Sequence, residues 1–350
     1  MTLYCRYFDC KRNEIHGSWY KSQVFPESTI LCPRRKGAKY VTVTDHSNDI
    51  NYPINTVPLT YRLYKEPVHE FAVCVAPLYG DEPKWLQIVE FVEHYKLQGA
   101  TYFYFYIAQM DSYDRRVLDY YSRMGDIEVI TMENRYETPA HLFQIIQVQD
   151  CHSRSKYHSK WTAFIDIDER LMTNKGRTID MLRNIRDEKI GDIQLKVQRI
   201  LKTEDTPKEY IDEEQLKKDM IFMKYTNNTQ PTWNALKTII RPEKIGIMSI
   251  HNVVASNPGT KRIRLSEKQA VLKHYRNTKF RNFGKSWEAS YDNFTIQLID
   301  SQYSKKLSLS VIDTTKEIYD KVQLDCKSVS EKSWKIREMN DPCVEEPYSI

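Results

Sequence analysis

Between residues 71 and 165 the chain alternates short apolar runs with stretches of helical periodicity, and this alternation restricts the fold more than any other feature. Phe71-Ala72-Val73-Cys74-Val75-Ala76 is unbroken apolar sequence of the kind that fills a strand buried on both faces. It stops at Pro77-Leu78-Tyr79-Gly80-Asp81. Asp81 can then cap, and Pro83 open, a helix whose Trp85, Ile88, Val89, Val92 and Tyr95 recur at helical spacing until Gly99. A second strand over Tyr102 to Ile107, a helix over Asp111 to Tyr121 and a third strand over Ile127 to Met132 follow. A helix over Pro139 to Cys151 then leads into Trp161-Thr162-Ala163-Phe164-Ile165, which breaks off at Asp166-Ile167-Asp168-Glu169-Arg170. Strand, helix, strand at this spacing implies right-handed crossovers, hence an α/β fold with a mostly parallel central sheet flanked by helices.

The flanking regions read differently. Residues 1–70 are rich in Tyr, Pro and turn formers, with short pieces such as Tyr40-Val41-Thr42-Val43 and Pro58-Leu59-Thr60-Tyr61, and form an N-terminal β-rich extension. Beyond 175 the pattern predicts a helix over Thr178 to Ile185, a strand over Ile193 to Val197 and an acidic loop from Thr203 to Glu214. Further strands are expected at Leu236 to Ile240, Ile245 to Val254 and Ala270 to His274, partly antiparallel. Residues 71–300 make up the main domain. Residues 301–350 supply a C-terminal helix, over Thr314 to Val322, and a charged tail.

Composition removes several classes of function. A formal charge of +5, scattered along 350 residues, gives no basic track for nucleic acid. No fixed-period repeat suggests a solenoid. Seven widely spaced cysteines lack zinc-ligand spacing; in an oxidising compartment they allow three disulfides and one thiol, with Cys74 in its apolar run reading as a plain core thiol. The sequons at Asn227 and Asn293 fit the same compartment. No stretch approaches the ~18 apolar residues of a membrane span, and the opening residues lack the apolar core of a signal peptide. As written the chain reads as soluble, with any targeting segment upstream.

In an open α/β sheet, ligands bind beyond the carboxyl ends of the strands. Two loops leave such ends. The first carries Pro77, Tyr79 and Glu82: the tyrosine can stack on a base and the acid can accept from a ring nitrogen or a ribose, or the segment is a rigid turn with a packed ring. The second carries Asp166 and Asp168, the one Asp-x-Asp of the chain. Alternation in an extended segment would set both carboxylates toward one ligand while Ile167 packs inward. Mg²⁺ or Mn²⁺ typically takes one or two carboxylates plus diphosphate oxygens. Among nine histidines, His274 ends an apolar run where its ring can complete a metal site and Arg276 can hold a phosphate oxygen. His251 competes for that place, and His94 reads as structural. Paired acids also suit a phosphotransferase or nuclease, which would want more convergent acids or a basic track. A glycan-binding protein that has lost turnover is the other alternative.

Through Pro77-Leu78-Tyr79-Gly80-Asp81-Glu82, Glu93-His94-Tyr95-Lys96, Ser159-Lys160-Trp161, Phe164-Ile165-Asp166-Ile167-Asp168-Glu169-Arg170-Leu171 and His274-Tyr275-Arg276-Asn277, the chain resembles glycosyltransferase family 92 over roughly residues 70–280. The resemblance implies a GT-A-type fold, a UDP-sugar donor such as UDP-galactose and Mn²⁺ or Mg²⁺. It also implies inverting transfer of galactose to fucose on the N-glycan core of a glycoprotein, and a Golgi location with a membrane anchor outside this chain. It implies Asp168 as the principal metal ligand, Asp166 on ribose or metal, and His274 as the third ligand. Inversion needs a base for the acceptor hydroxyl, for which Glu204 and Asp205 in the acidic loop are candidates.

Overall fold

The structure, a computed structural model, describes residues 2–26, 29–47, 55–62, 64–133, 140–277, 295–296, 300–321 and 343. The N-terminal segment forms its own antiparallel sheet from β1 (Thr2–Phe8), β2 (Tyr20–Gln23), β3 (Tyr40–Thr44) and β4 (Val57–Pro58), in the order β2-β1-β3-β4. Its core is small, with Cys5, Tyr7, Ala38 and Val41 buried. Disulfides therefore reinforce it: Cys5 pairs with Cys32, and Cys10 with Cys343.

The alternating region folds into β5 (His69–Val75), α1 (Trp85–Leu97), β6 (Tyr102–Ile107), α2 (Ser112–Arg123), β7 (Ile127–Thr131), α3 (Ala140–Ser155) and β8 (Ser159–Ile165). The strands lie parallel in the order β7-β6-β5-β8. Both faces are covered, and β6 records it: Phe103 and Phe105 enter the core on one face, Tyr102, Tyr104 and Tyr106 that on the other. Burying each hydroxyl demands a partner. Tyr102 donates to Glu128, Tyr104 pairs with His158, and Tyr106 donates to Asp150.

The sheet then continues as a mixed one. The remaining elements are β9 (Glu169–Thr173), α4 (Thr178–Arg183), β10 (Ile190–Lys202), α5 (Glu213–Asp219), α6 (Ile221–Lys224), β11 (Asn227–Asn228), β12 (Thr232–Ile240), β13 (Ile245–Met248), β14 (Val253–Ser256), β15 (Lys261–Arg264), β16 (Ala270–Asn277), β17 (Thr295–Ile296) and α7 (Ser301–Tyr319). β12 lies antiparallel between β8 and β10, so those two run the same way. β16 runs parallel to β10. The carboxyl ends of β5, β8, β10 and β16 therefore share one edge, the arrangement of a GT-A-like α/β fold.

Several expectations are corrected. Asp81 does not cap α1; the buried Asp114 carboxylate, on α2, accepts from the backbone N–H of Lys84 (2.9 Å) and Trp85 (2.8 Å). The single strand expected over Ile245 to Val254 is a hairpin, β13 and β14, closed by the Ser249 N–H to Asn252 O bond. The last helix starts at Ser301, because Asp300 accepts from the Tyr303 N–H and Leu307, Val311, Ile312 and Ile318 bury against the core. Cys74 is bonded to Cys151 rather than a plain thiol. Val322, Asn293 and Cys326 lie outside the described residues. Among the described residues no helix is long and apolar enough to cross a membrane.

Candidate active site

A cavity of about 300 Å³ opens at that shared edge, lined by residues 76–82, Lys84, Gln87, Gln144, Asp166–Asp168, Lys202, Tyr275 and Arg276. It unites the two informative loops with the ends of β10 and β16. The first loop is fixed by its backbone. Leu78 bridges to the end of β6, and Gly80 takes φ +81°, a left-handed conformation that its neighbours in space would tolerate but a side chain would strain. Lys84 Nζ donates to the carbonyls of Gly80 (2.7 Å) and Glu82 (2.6 Å), which holds the turn closed. Tyr79 remains 42% exposed, with its ring available to the cavity. Glu82 Oε1 is already engaged: Lys202 and Gln87 donate to it, as do the amide and hydroxyl of Thr206.

The second loop is a tight turn rather than the extended segment expected. Glu169 N–H donates to Asp166 O (3.0 Å), and Asp166 N–H returns to Glu169 Oε2 (2.9 Å). The turn sends its carboxylates to different partners. Asp166 Oδ1 accepts from Lys237 Nζ (2.6 Å) and Gln144 Nε2 (3.2 Å). Asp168 Oδ2 lies 3.1 Å from His274 Nε2, while His274 Nδ1 faces Glu169 Oε1 at 3.6 Å. Tyr275 N–H donates to Asp168 O (2.8 Å), locking β16 to the turn.

The electrostatics follow from this packing. Burial opposes charge on Asp168, yet His274, Arg276 and Lys237 outweigh it and hold the carboxyl well below its usual range. Burial likewise opposes charge on His274, and Asp168 and Glu169 outweigh it, raising the imidazole. Glu169, 1% exposed, is pushed up to about 7 by burial and by Asp166, against the pull of Lys237 and His274. Lys237, 2% exposed, is raised by Asp166 and Glu169 despite its burial.

Asp166, Asp168, Arg276, Pro77, Tyr79 and Glu82 thus share one cavity, with His274 bonded to Asp168 behind it. Glu204 and Asp205 do not join them: neither lines the cavity, and Glu204 is 60% exposed and paired with Lys224 at 2.6 Å. The chain turns outward after Lys202, so only Thr206 returns to the site. His251 sits at the tip of the β13–β14 hairpin, its ring bonded to the Leu236 backbone and its buried Nδ1 without a hydrogen-bond partner among the described residues, outside the cavity lining. His94 is structural, bonded to Leu171 O and Tyr303 Oη between α1 and α7. Sequence reasoning missed Lys202, Lys237, Gln144 and Glu169. A signal existed for Lys237, a lysine set among Ala235, Leu236, Ile239 and Ile240 in a run that reads as buried strand.

Among the described residues no three or more His, Cys, Asp or Glu side chains gather for a metal. Asp168 and His274 do fit one. The imidazole presents Nε2 toward a carboxylate oxygen, and a second carboxylate, Glu169, lies 3.6 Å from its Nδ1 and acts on it through charge rather than through a hydrogen bond.

A cavity at the strand ends, with an acidic turn and cations on its wall, sits at the edge where a GT-A-like fold gathers its strand ends. The family model for glycosyltransferase family 92 matches residues 69–307, and the chain belongs to that family. It is 32% identical over 124 residues to beta-1,4-galactosyltransferase galt-1 of Caenorhabditis elegans, covering 32% of this chain and 29% of that protein. Among solved structures it is similar to a mannosyltransferase of Pyrobaculum calidifontis in complex with GDP-Man and Mn²⁺ (9% identity, TM-score 0.35, 80% and 87% of the two chains). It is also similar to S. aureus TarS 1-349 (9%, 0.32, 79% and 81%).

Proposed function

We propose that the chain transfers a hexose, galactose from UDP-galactose, to a glycan acceptor such as the fucose of an N-glycan core, with inversion and with Mn²⁺ or Mg²⁺. The observation that carries this reading is the Asp168–His274 pair at 3.1 Å, backed by Glu169, on the wall of a cavity that also holds Tyr79 and Arg276. Asp168 and His274 hold the cation. A divalent ion held by Asp168 and His274 would supply positive charge to offset the charge that grows on a departing nucleoside diphosphate. Arg276 binds a phosphate oxygen, and its fixed positive charge serves the leaving group. Tyr79, with Pro77 beside it, offers a face for the base. Asp166, held by Lys237, stands beside the ribose.

The galactose assignment is supported by the similarity to a beta-1,4-galactosyltransferase, a match that spans under a third of that protein's length. An oxidising, Golgi-type compartment is supported by three disulfides. The test is to incubate the purified chain with Mn²⁺, UDP-galactose and a fucosylated N-glycan, and to weigh the product. One added hexose is expected, and none with Asp168→Ala of unchanged circular dichroism. Full transfer by that variant would remove the metal assignment, and no hexose gain by the wild type would remove the substrate reading.

A further inference from the structure

We infer that the loop of residues 34–39 in the N-terminal sheet is a second binding site, for a saccharide that carries sulfate or carboxylate groups.

The net charge of the whole chain is small, but it is uneven along the sequence. From His16 to Thr44 the Lys and Arg residues are Lys21, Arg34, Arg35, Lys36 and Lys39, and the one Asp or Glu is Glu27, which lies outside the described residues. Arg34, Arg35, Lys36 and Lys39 share a single loop and, with Tyr61, line a concavity of about 400 Å³. None of them lines the cavity at the acidic turn. Like charges gathered this way repel one another. The acids of the same module are engaged elsewhere: Glu14 pairs with Arg6, and Asp9 accepts from the amides of Lys11 and Asn13. Among the described residues no carboxylate pairs with Arg35, Lys36 or Lys39.

The loop is held in place. Cys32, at its start, is bonded to Cys5 on β1. Tyr7 Oη donates to Pro33 O (2.6 Å), Tyr61 Oη to Ala38 O (3.2 Å), and the Lys39 N–H to Phe8 O (2.8 Å). Two of the cations are oriented as well. The Arg34 guanidinium lies 4.6 Å from the Tyr61 ring, and that of Arg35 lies 5.6 Å from the rings of Tyr7 and Tyr20. Arg35 Nε donates to Ser18 O (2.9 Å) and Nη1 to Arg34 O (3.4 Å), which leaves Nη2 without a partner among the described residues.

Fixed guanidinium forks match the planar oxygens of a carboxylate or the face of a sulfate, and the two lysines add point charges beside them. The volume lies near the low end of the ~300–1,000 Å³ of small-ligand pockets, which gives room for a short stretch of saccharide and not for a folded partner. A membrane would meet a convex surface, whereas these cations line a hollow. Tyr61 in the lining and Tyr20, 43% exposed beside Arg35, offer flat faces to sugar rings next to the forks. Binding at this loop is independent of the transfer proposed above.

The experiment is titration calorimetry on the full chain at low salt, with a heparin-derived hexasaccharide, neutral maltohexaose, a glutamate peptide and phosphatidylserine vesicles as probes. Each variant is first checked by a melting curve. Wild type is expected to bind the sulfated hexasaccharide and not maltohexaose. Lys36→Gln with Lys39→Gln weakens that binding about tenfold or more, and Arg34→Lys, which keeps the charge and removes the fork, about threefold or more. Lys11→Gln with Lys21→Gln, cations of the same module outside the hollow, stays within about twofold of wild type. No binding by the wild type would overturn the inference, as would an unchanged affinity in the Lys36/Lys39 or Arg34 variant. Equal losses in the two lysine pairs would also overturn it, because charge would then act without a site. Tighter binding of the peptide or the vesicles would assign the loop to a protein or a membrane instead.

Discussion

Glu90 offers the cleanest reading of a single residue. It is 1% exposed on α1, accepts from the Ile221 N–H at 2.6 Å, and is raised to about 7 by burial against the pull of Arg170 and Lys202. In the unfolded chain a glutamate titrates near ~4.3. Between those values the folded state binds the extra proton, so stability falls as pH rises from about 4.3 toward 7, by up to about 1.4 kcal/mol per pH unit. Glu90→Gln keeps a carbonyl for Ile221 and removes the proton. Its urea midpoint is expected to decline less than the wild type's from pH 5 to 7, and an identical decline would remove the assignment. The acids of the site were legible in the sequence because Asp-x-Asp after an apolar run is a local pattern. Their division of labour was not. It depends on a turn that splits the two side chains, and on Lys237, a neighbour 71 positions away from Asp166.

Elements were legible where their signals are local and lost where the partner is distant. The interior of α1 follows from its own periodicity, whereas its start depends on Asp114, 30 positions away from Lys84. Asp114→Ala leaves two buried N–H groups without an acceptor, and a loss of about 1–2 kcal/mol or more is expected by chemical denaturation. A variant within experimental error of wild type would mean that α1 starts without that cap. The β13–β14 hairpin was read as one strand because Ser249-Ile250-His251-Asn252 carries no Gly or Pro to mark the turn. α7 was begun late because its first turns, rich in Ser and Lys, are largely exposed, with Tyr303 the aromatic exception that packs against His94, and buried aliphatic residues start only at Leu307.

For the whole molecule, the parallel half of the sheet was legible since strands covered on both faces read as near-continuous apolar runs, as Phe71–Val75 of β5, β6, and Trp161–Ile165 of β8 do with Thr162 the one polar residue among them. The antiparallel half was less so. β10 and β12 carry Asp192, Gln194, Arg199, Lys202 and Lys237 into buried positions, where each answers a partner elsewhere in the chain or packs inside the sheet. Apart from Lys237 in its apolar run, sequence patterns read such residues as surface. The disulfide between Cys74 on β5 and Cys151 on α3 fastens the helix to the sheet it covers. Replacing both cysteines with alanine is expected to cost about 2–4 kcal/mol. The melting temperature under non-reducing conditions checks it, and an unchanged value would mean the pair contributes nothing to the fold.

In the proposed function, Asp168 and His274 grip a cation that in turn grips a donor's diphosphate. Titration calorimetry of UDP against the intact chain, with Mn²⁺ and then with the ion chelated, addresses that claim without needing the acceptor. Binding with Mn²⁺ and its loss on chelation is the predicted result. Equal affinity in both buffers would contradict it.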